Sequence, residues 1–530
     1  MNKKDLWMKC TAITCSFVMT TALLSGCGTS KANNAPSATN SASGSKEPTK
    51  ISIMIPLFNT EAPAADSPVI KKIEEFANVK LDINFVPSNT YNDKVNVSIA
   101  ANQLPQMVAV QDIKATSFVN AARSGMFWDL TSQIKDLPNL SKNYDPVMLK
   151  NASLDGKNYG LPRGRGLTRA GGVLRKDWLS KLGLQKPTTV DELYNVIKAF
   201  ATKDPDGNGK DDTVGLVMGA ETTGNLFSAF DLIVTAYGGG NGYELKDGKV
   251  VPTFMSDPYL KALKWYKRLY DEKLVNLDFP TVKPEQVFEQ IDKEKGGLYL
   301  SVIDDAERHD NLVKLVQQRD PKLAAKSVAD AKMDLLDSIP QLKSVDGTVK
   351  VPATAGFNGE FVFPKTSVKA ESDLKAILNA FDKLDTPEGQ SIIKWGIEGT
   401  HYTVKDGLAT VSGDTSLVSK EVGTLWQIFL TNQAVDRSSI KGQLAPMREK
   451  DLKEETDNMK YAVTDVSVPL ISNTQSTKGT DLTKIINDAR IKYIMGAIND
   501  DGWNQAVAQW KKSGGDQVIQ EYTDAYNKTK

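Results

Sequence analysis

The sequence predicts an α/β protein built on a parallel sheet with helices packed on its faces. Two observations near the start of the folded part carry that prediction. A continuous apolar run, Ile51–Ile55, has the character of a strand buried on both faces, and a helical repeat follows it at Val69, Ile70, Ile73 and Phe76. Leu81, Ile83 and Phe85 then alternate with Asp82 and Asn84, the period of a second strand.

A helix over 90–102 and a short strand at Met107–Val110 complete a strand–helix–strand–helix–strand series. Ligands on such sheets lie beyond the carboxyl ends of the strands, which marks Asn59, Gln111 and Asp112 as candidates. A second α/β region begins after Tyr159-Gly160-Leu161-Pro162. There Thr189-Val190-Asp191-Glu192 reads as a capping box, opening a helix with Val190, Leu193, Ile197 and Phe200 on one face. Gly297–Ile303 is a further buried strand, 351–364 a strand or crossing segment, and 371–384 a helix. The C-terminal part is helical, with one stripe at Ile485, Ile486, Ala489 and Tyr493. A second stripe at Trp503, Val507 and Trp510 stops at Gly514-Gly515.

The N-terminus is an export signal. Lys3, Lys4 and Lys9 precede an apolar stretch from Ala12 to Leu24, shorter than the roughly 20 residues of a spanning helix. It ends in Leu24-Ser25-Gly26-Cys27, which resembles the lipobox of bacterial lipoproteins, where cleavage leaves an acylated Cys at the new N-terminus. Residues 1–26 are therefore expected to be removed, and 27–49 to form a lipidated Cys27 with a flexible Ser/Ala/Asn/Gly-rich tether. No later segment is apolar enough to cross a bilayer. Cys10 and Cys15 leave with the signal, so the body has no thiol nucleophile and no Cys-ligated metal.

The chain has 530 residues, with 65 basic and 65 acidic side chains. Removing Lys3, Lys4, Lys9 and Asp5 leaves a small acidic excess, which gives no basic field for nucleic acid. Length allows two large domains or three ordinary ones.

The loop Asp204–Asp212 carries the clearest chemistry. Asp204, Asp206 and Asn208 place oxygens at alternate positions, Gly209 stands where an EF-hand loop turns, Lys210 offers its carbonyl and Asp212 its carboxylate. Gly215 replaces the twelfth-position Glu of a full EF-hand, so calcium binding of a structural kind is expected with an incomplete ligand set. The same residues also suit a metal-free turn.

Four stretches, taken together and in order, carry a family resemblance. They are Tyr159–Pro162; Leu174-Arg175-Lys176-Asp177-Trp178-Leu179 with Leu182–Leu184 and Pro187-Thr188; Asp204–Asp212 running into Gly215-Leu216; and Trp395-Gly396-Ile397-Glu398-Gly399-Thr400-His401-Tyr402. With Ile494-Met495-Gly496 and the Trp503–Tyr526 region, they make the chain similar to family 1 extracellular solute-binding lipoproteins of ABC importers. The likeness is to the Gram-positive oligosaccharide-binding branch, including alginate-oligosaccharide binders. In those binders a calcium loop stands at the matching place, and Asp204, Asp206, Asn208, Lys210 and Asp212 match its ligand positions. Thr213 replaces an acidic residue there.

The resemblance implies a periplasmic-binding-protein-like fold, two discontinuous α/β lobes with a ligand cleft between them. The expected division is 50–162 plus 335–395 for one lobe and 163–334 plus 396–530 for the other. It also implies a non-enzymatic, lipid-anchored monomer on the extracellular face of the cell membrane. Such a protein captures an oligosaccharide and delivers it to the permease subunits of an ABC transporter, touching the membrane only through its anchor.

Sugars are held by aromatic faces and planar polar side chains. That favours Arg163 and Arg165, Asp304, Asn358 and Glu360, and the polar-aromatic cluster Trp395, Glu398, His401 and Tyr402. Arg163, Arg165 and Arg169 within seven residues would suit an acidic, uronate-bearing ligand, since guanidinium forks bind carboxylates bidentately; they would equally suit a solvated basic loop. The rival classes are a surface-anchored glycan-degrading enzyme, which needs two carboxylates at a suitable separation, and the same scaffold carrying a peptide or another polar solute. Against the enzyme stand only two histidines, His309 and His401, and no Gly-x-Ser-x-Gly or His-Glu-x-x-His motif.

Overall fold

In the computed structural model, residues 47–529 are described apart from 60, 220–228, 345, 433–434 and 443. The signal, Cys27 and nearly all of the tether lie outside the described residues. Nine of the described strands build two sheets. They are β1 (Thr49–Leu57), β2 (Val79–Pro87), β3 (Met107–Val110), β4 (Gly160–Gly164), β5 (Ala170–Arg175), β6 (Val214–Leu216), β7 (Gly296–Val302), β8 (Leu336–Ile339) and β9 (Phe357–Val362).

The first sheet has the order β2-β1-β3-β9-β4. As the opening residues predict, β1 runs parallel to β2 and β3. The sheet as a whole is mixed, however, because β9 is antiparallel to both β3 and β4. The cause is topological: β9 re-enters from the second sheet, and so from the opposite end. Ile51, Ile53 and Ile55 are buried, as are Val69, Ile70 and Ile73 of the helix Pro68–Ala77 on the sheet's face. Phe361, Phe381 and Leu378 complete that core.

The second sheet has the order β8-β5-β7-β6, with only β6 and β7 parallel. One of its cores packs the helix Val190–Thr202 against Asp257–Asp271 and the long helix Asn473–Ile494. The N-terminus of Val190–Thr202 is capped by the Thr189 hydroxyl, which accepts from the Glu192 N–H at 3.2 Å. The Glu192 carboxylate returns to Thr188, one residue earlier than a standard capping box.

Two segments fall differently from the expected division. Strand β8 pairs with β5, which puts 336–339 in the second sheet. Val422, Leu425, Ile428 and Leu430 pack into the first core, because the chain after residue 396 folds back over the first sheet before it returns. The chain therefore crosses between the two cores around 164–170, 340–357 and 431–446. No described helix is long and apolar enough to cross a membrane.

Candidate functional site

The crossing segments hold one another through main-chain bonds. The Arg165 N–H donates to the Gly356 carbonyl at 2.8 Å, Thr354 N–H to Leu167 at 2.7 Å, and Ala353 N–H to Val463 at 2.9 Å. Asn241 bridges two crossings by donating to the Ala353 and Val463 carbonyls. Against this frame lies a cavity of ≈ 830 Å³, within the usual size for a small-molecule site. Its aromatic wall includes Tyr243, Phe254, Trp510 and Tyr522, all packed in or against the core of the second sheet. The chain packed on that sheet is the second body, and the chain packed on the first sheet is the first body. Its charged groups are Arg165, Arg169, Arg490, Asp231 and Asp465, and Phe357 and Asn358 close it at the edge of the first sheet.

Arg165 is the guanidinium best placed for a ligand. Among the described residues its side chain makes one hydrogen bond, from Nη1 to the Gly164 carbonyl at 2.8 Å. Desolvation, and Arg169 beside it, pull it down to about 10, so it stays charged at neutral pH. Arg169 is committed to a bidentate pair with Asp304, with contacts of 2.7 and 3.1 Å. Asp465 accepts from the N–H and hydroxyl of Ser467, yet desolvation pushes its carboxyl up to about 6.

Several expected contacts fall elsewhere. Arg163 is fully buried: Nε donates to the Gln427 carbonyl at 3.1 Å, Nη1 to that of Asn358 at 3.2 Å, and Nη2 to the Gln427 side chain. It also stacks over Phe361, so it fastens the first body and does not face the cavity. Asp304 does not line the cavity; it serves Arg169. Glu360 is 1% exposed inside the first sheet, where desolvation pushes its carboxyl up to about 8. Asn59 pins the segment after residue 419, donating to the Ser419 carbonyl at 2.6 Å and the Thr424 hydroxyl at 2.8 Å.

Gln111 passes so close to Gly359 that a Cβ there would meet its Cα, and Gly359 has φ +71°. Asp112 caps the turn after β3 by accepting from the Lys114 and Ala115 N–H groups. The cluster at 395–402 lies outside the cavity lining. Trp395 donates to the Ile440 carbonyl, His401 is buried between the Ile397 N–H and Glu421, and Tyr402 begins a two-stranded hairpin. Glu398 is exposed. Of the candidate binding residues, Arg165 and Asn358 line the cavity, as does Arg169 of the arginine cluster.

The loop at 204–212 is closed by hydrogen bonds among its own side chains and backbone. The Asp204 carboxylate accepts from the N–H groups of Gly207, Asn208 and Gly209, and Gly209 takes φ +74°. The Asn208 amide lies between Asp206, at 2.7 Å, and Asp212, at 3.1 Å, while its oxygen accepts from the Lys210 N–H. Burial, then the neighbouring Asp204 carboxylate, push the Asp206 carboxyl up. Lys295 pairs with Asp212 at 2.5 Å, and the Thr213 hydroxyl turns inward to the Phe200 carbonyl. This donor set fits a hard cation in kind. Among the described residues no three acidic, His or Cys side chains already stand in cation-holding geometry. A cation would have to draw together the carboxylates that Asn208 now separates.

The chain has recognisable relatives. A family model described as "Bacterial extracellular solute-binding protein" matches residues 59–329. The polygalacturonan/rhamnogalacturonan-binding protein YtcQ of Bacillus subtilis (strain 168) is 37% identical, over 96% of this chain and 96% of its own length. Lipoprotein LipO of the same organism is 33% identical, over 96% of this chain and 97% of its own. Among solved structures, a solute-binding protein from Bifidobacterium longum infantis ATCC 15697, titled as HMO-binding and ABC-transporter associated, superposes with a TM-score of 0.68. It is 20% identical and covers 91% of this chain and 99% of its own.

Proposed function

This chain belongs to the bacterial extracellular solute-binding proteins, and from that premise we propose that it captures a uronate-bearing oligosaccharide for an ABC importer. One observation carries the ligand class. Arg165 presents a charged guanidinium to a cavity walled by Tyr243, Phe254, Trp510 and Tyr522. Aromatic faces suit the C–H surfaces of sugar rings, and a guanidinium fork suits a carboxylate. The name of YtcQ, which specifies polygalacturonan and rhamnogalacturonan, supports the same class.

The protein binds as a monomer, anchored to the outer face of the membrane through Cys27, and presents its cargo to permease subunits. The lipobox-like Leu24–Cys27 and the name of lipoprotein LipO support the anchor. Calcium in the 204–212 loop is structural: the loop bears on the second sheet through Lys295 and supplies no group to the cavity.

Asp231 and Asp465 both line the cavity, and Asp465 is the carboxyl raised to about 6. That pair gives a glycoside-cleaving reading its one foothold. The test is thermal unfolding of the mature protein with galacturonate oligosaccharides and matched neutral sugars, followed by recovery of the ligand. A shift with the acidic sugar, recovered intact, supports a binder. Cleaved product would make it an enzyme, and a shift with neutral sugars alone would overturn the acidic assignment.

A further inference from the structure

The aromatic wall of the cavity comes from the second body, yet the first body also exposes two large aromatic side chains on the edge that faces it. Phe58, the residue after β1, is 57% exposed, and Trp426 is 45% exposed. Hydrogen bonds fix where they lie. Asn59 holds Ser419 and Thr424 at the end of β1. Arg163 of β4 holds the Gln427 carbonyl, and the Gly164 N–H donates to the Leu430 carbonyl at 2.7 Å. Residues 419–430 therefore run across the sheet edge from the end of β1 to the end of β4. Trp426 sits midway along that run.

The direction of its side chain follows from the local helix. Gly423–Ile428 is a 3₁₀ helix whose Leu425 and Ile428 are buried in the first core. With three residues per turn these two share one face, which leaves Trp426 on another, turned away from that core. Between β1 and β4 in the sheet stand β3 and β9, and residues at the start of β9, Phe357 and Asn358, line the cavity. The exposed aromatics and the cavity mouth thus occupy one edge. Of the large apolar side chains exposed among the described residues, Phe58 and Trp426 are the aromatic ones, and both lie on this edge.

We propose that Trp426 and Phe58 form a stacking platform for sugar rings that extend beyond the enclosed cavity along the edge of the first sheet, so that they select for chain length. The inference rests on the oligosaccharide reading above. Stacking uses the apolar C–H faces of pyranose rings and needs no carboxylate, so it adds affinity per ring where Arg165 adds affinity per charge.

The experiment is calorimetric titration of the mature chain and its W426A, F58A and double variants with digalacturonate and hexagalacturonate. The expected result is a loss of roughly fivefold or more for the hexamer in each single variant, with the dimer unchanged. Fluorescence gives a second readout: a change in tryptophan emission seen with the hexamer and not the dimer should vanish in W426F. Wild-type affinity of all three variants for the hexamer would overturn the platform while leaving the binder intact. Normal binding with lost uptake in cells would also overturn it, and assign the two aromatics to the permease. Binding of neither galacturonate by the unaltered protein would instead defeat the oligosaccharide reading itself.

Discussion

Lys114 Nζ donates to the Leu470 carbonyl at 2.5 Å, tying the loop after β3 in the first body to the chain that leads into the long helix Asn473–Ile494 of the second. Two further bonds lie beside it, from the Thr116 hydroxyl to the Ser476 carbonyl at 2.7 Å and from Arg123 Nη1 to Asn473 at 3.0 Å. Together they form a latch beside the cavity. Desolvation pulls Lys114 down to about 8, against the opposing pull of Asp465, Asp112 and Asp155. A depressed amine favours its neutral form, so the latched fold gains stability as pH rises from about 8 toward the ordinary value of 10.5, and loses it as pH falls through 8. Melting curves should show the unaltered protein gaining on K114M over that window, by no more than about 1.4 kcal/mol per pH unit. A difference independent of pH would contradict the buried amine.

Glu360 titrates in the opposite sense. Its folded value of about 8 lies above the ordinary 4.5, so the unfolded chain releases this proton first and stability falls between those limits. E360Q should therefore match the unaltered protein near pH 4 and exceed it increasingly up to pH 8, by up to about 1.4 kcal/mol per pH unit. Equal slopes would mean that Glu360 is ionised in the fold.

Arg163 and Arg165 stand two residues apart and should separate cleanly. R163A removes the donors to Gln427 and Asn358 inside the first body and should cost about 2–3 kcal/mol of stability. R165A removes a side chain whose one hydrogen bond among the described residues goes to the neighbouring carbonyl, so melting should hardly move. Affinity for a galacturonate ligand should fall roughly ten- to a hundredfold, the range of one hydrogen bond to a charged group.

The 204–212 loop bears on stability and not on the sugar. Calcium at a hundredfold excess over its dissociation constant should raise stability by about 2.7 kcal/mol, and chelation should reverse it. The D204A/D206N variant should ignore both, and its sugar affinity should stay at the level of the metal-free protein. An equal calcium response in the variant would place the ion elsewhere.

Periodicity made the frame legible. The run at Ile51–Ile55, the alternation at 81–85 and the helical stripe of Val190–Thr202 each lie in the element they imply, because burial on a regular backbone leaves a repeat in the sequence. Direction was legible only where a strand follows its neighbour through a helix; β9 returns from afar, and nothing in its residues records that. The cavity was less visible, since it draws on stretches near 165, 231–259, 352–358 and 465–522 that meet only in space. Trp510 belongs to an amphipathic stripe that reads as core, and it is indeed 2% exposed while also walling the cavity. The cluster at 395–402 misled for the converse reason. These side chains are spent on nearby backbone: Trp395 donates to the Ile440 carbonyl, and His401 accepts from the Ile397 N–H in the turn before the hairpin.

The central claim, capture of an acidic oligosaccharide at Arg165, is tested most directly by calorimetry of the mature protein with tetragalacturonate and with the same tetramer reduced at its carboxyl groups to neutral galactose units. The account predicts tight binding of the acidic tetramer, weaker binding of the neutral one, and loss of the difference in R165A. Equal binding of both tetramers by the unaltered protein would contradict it.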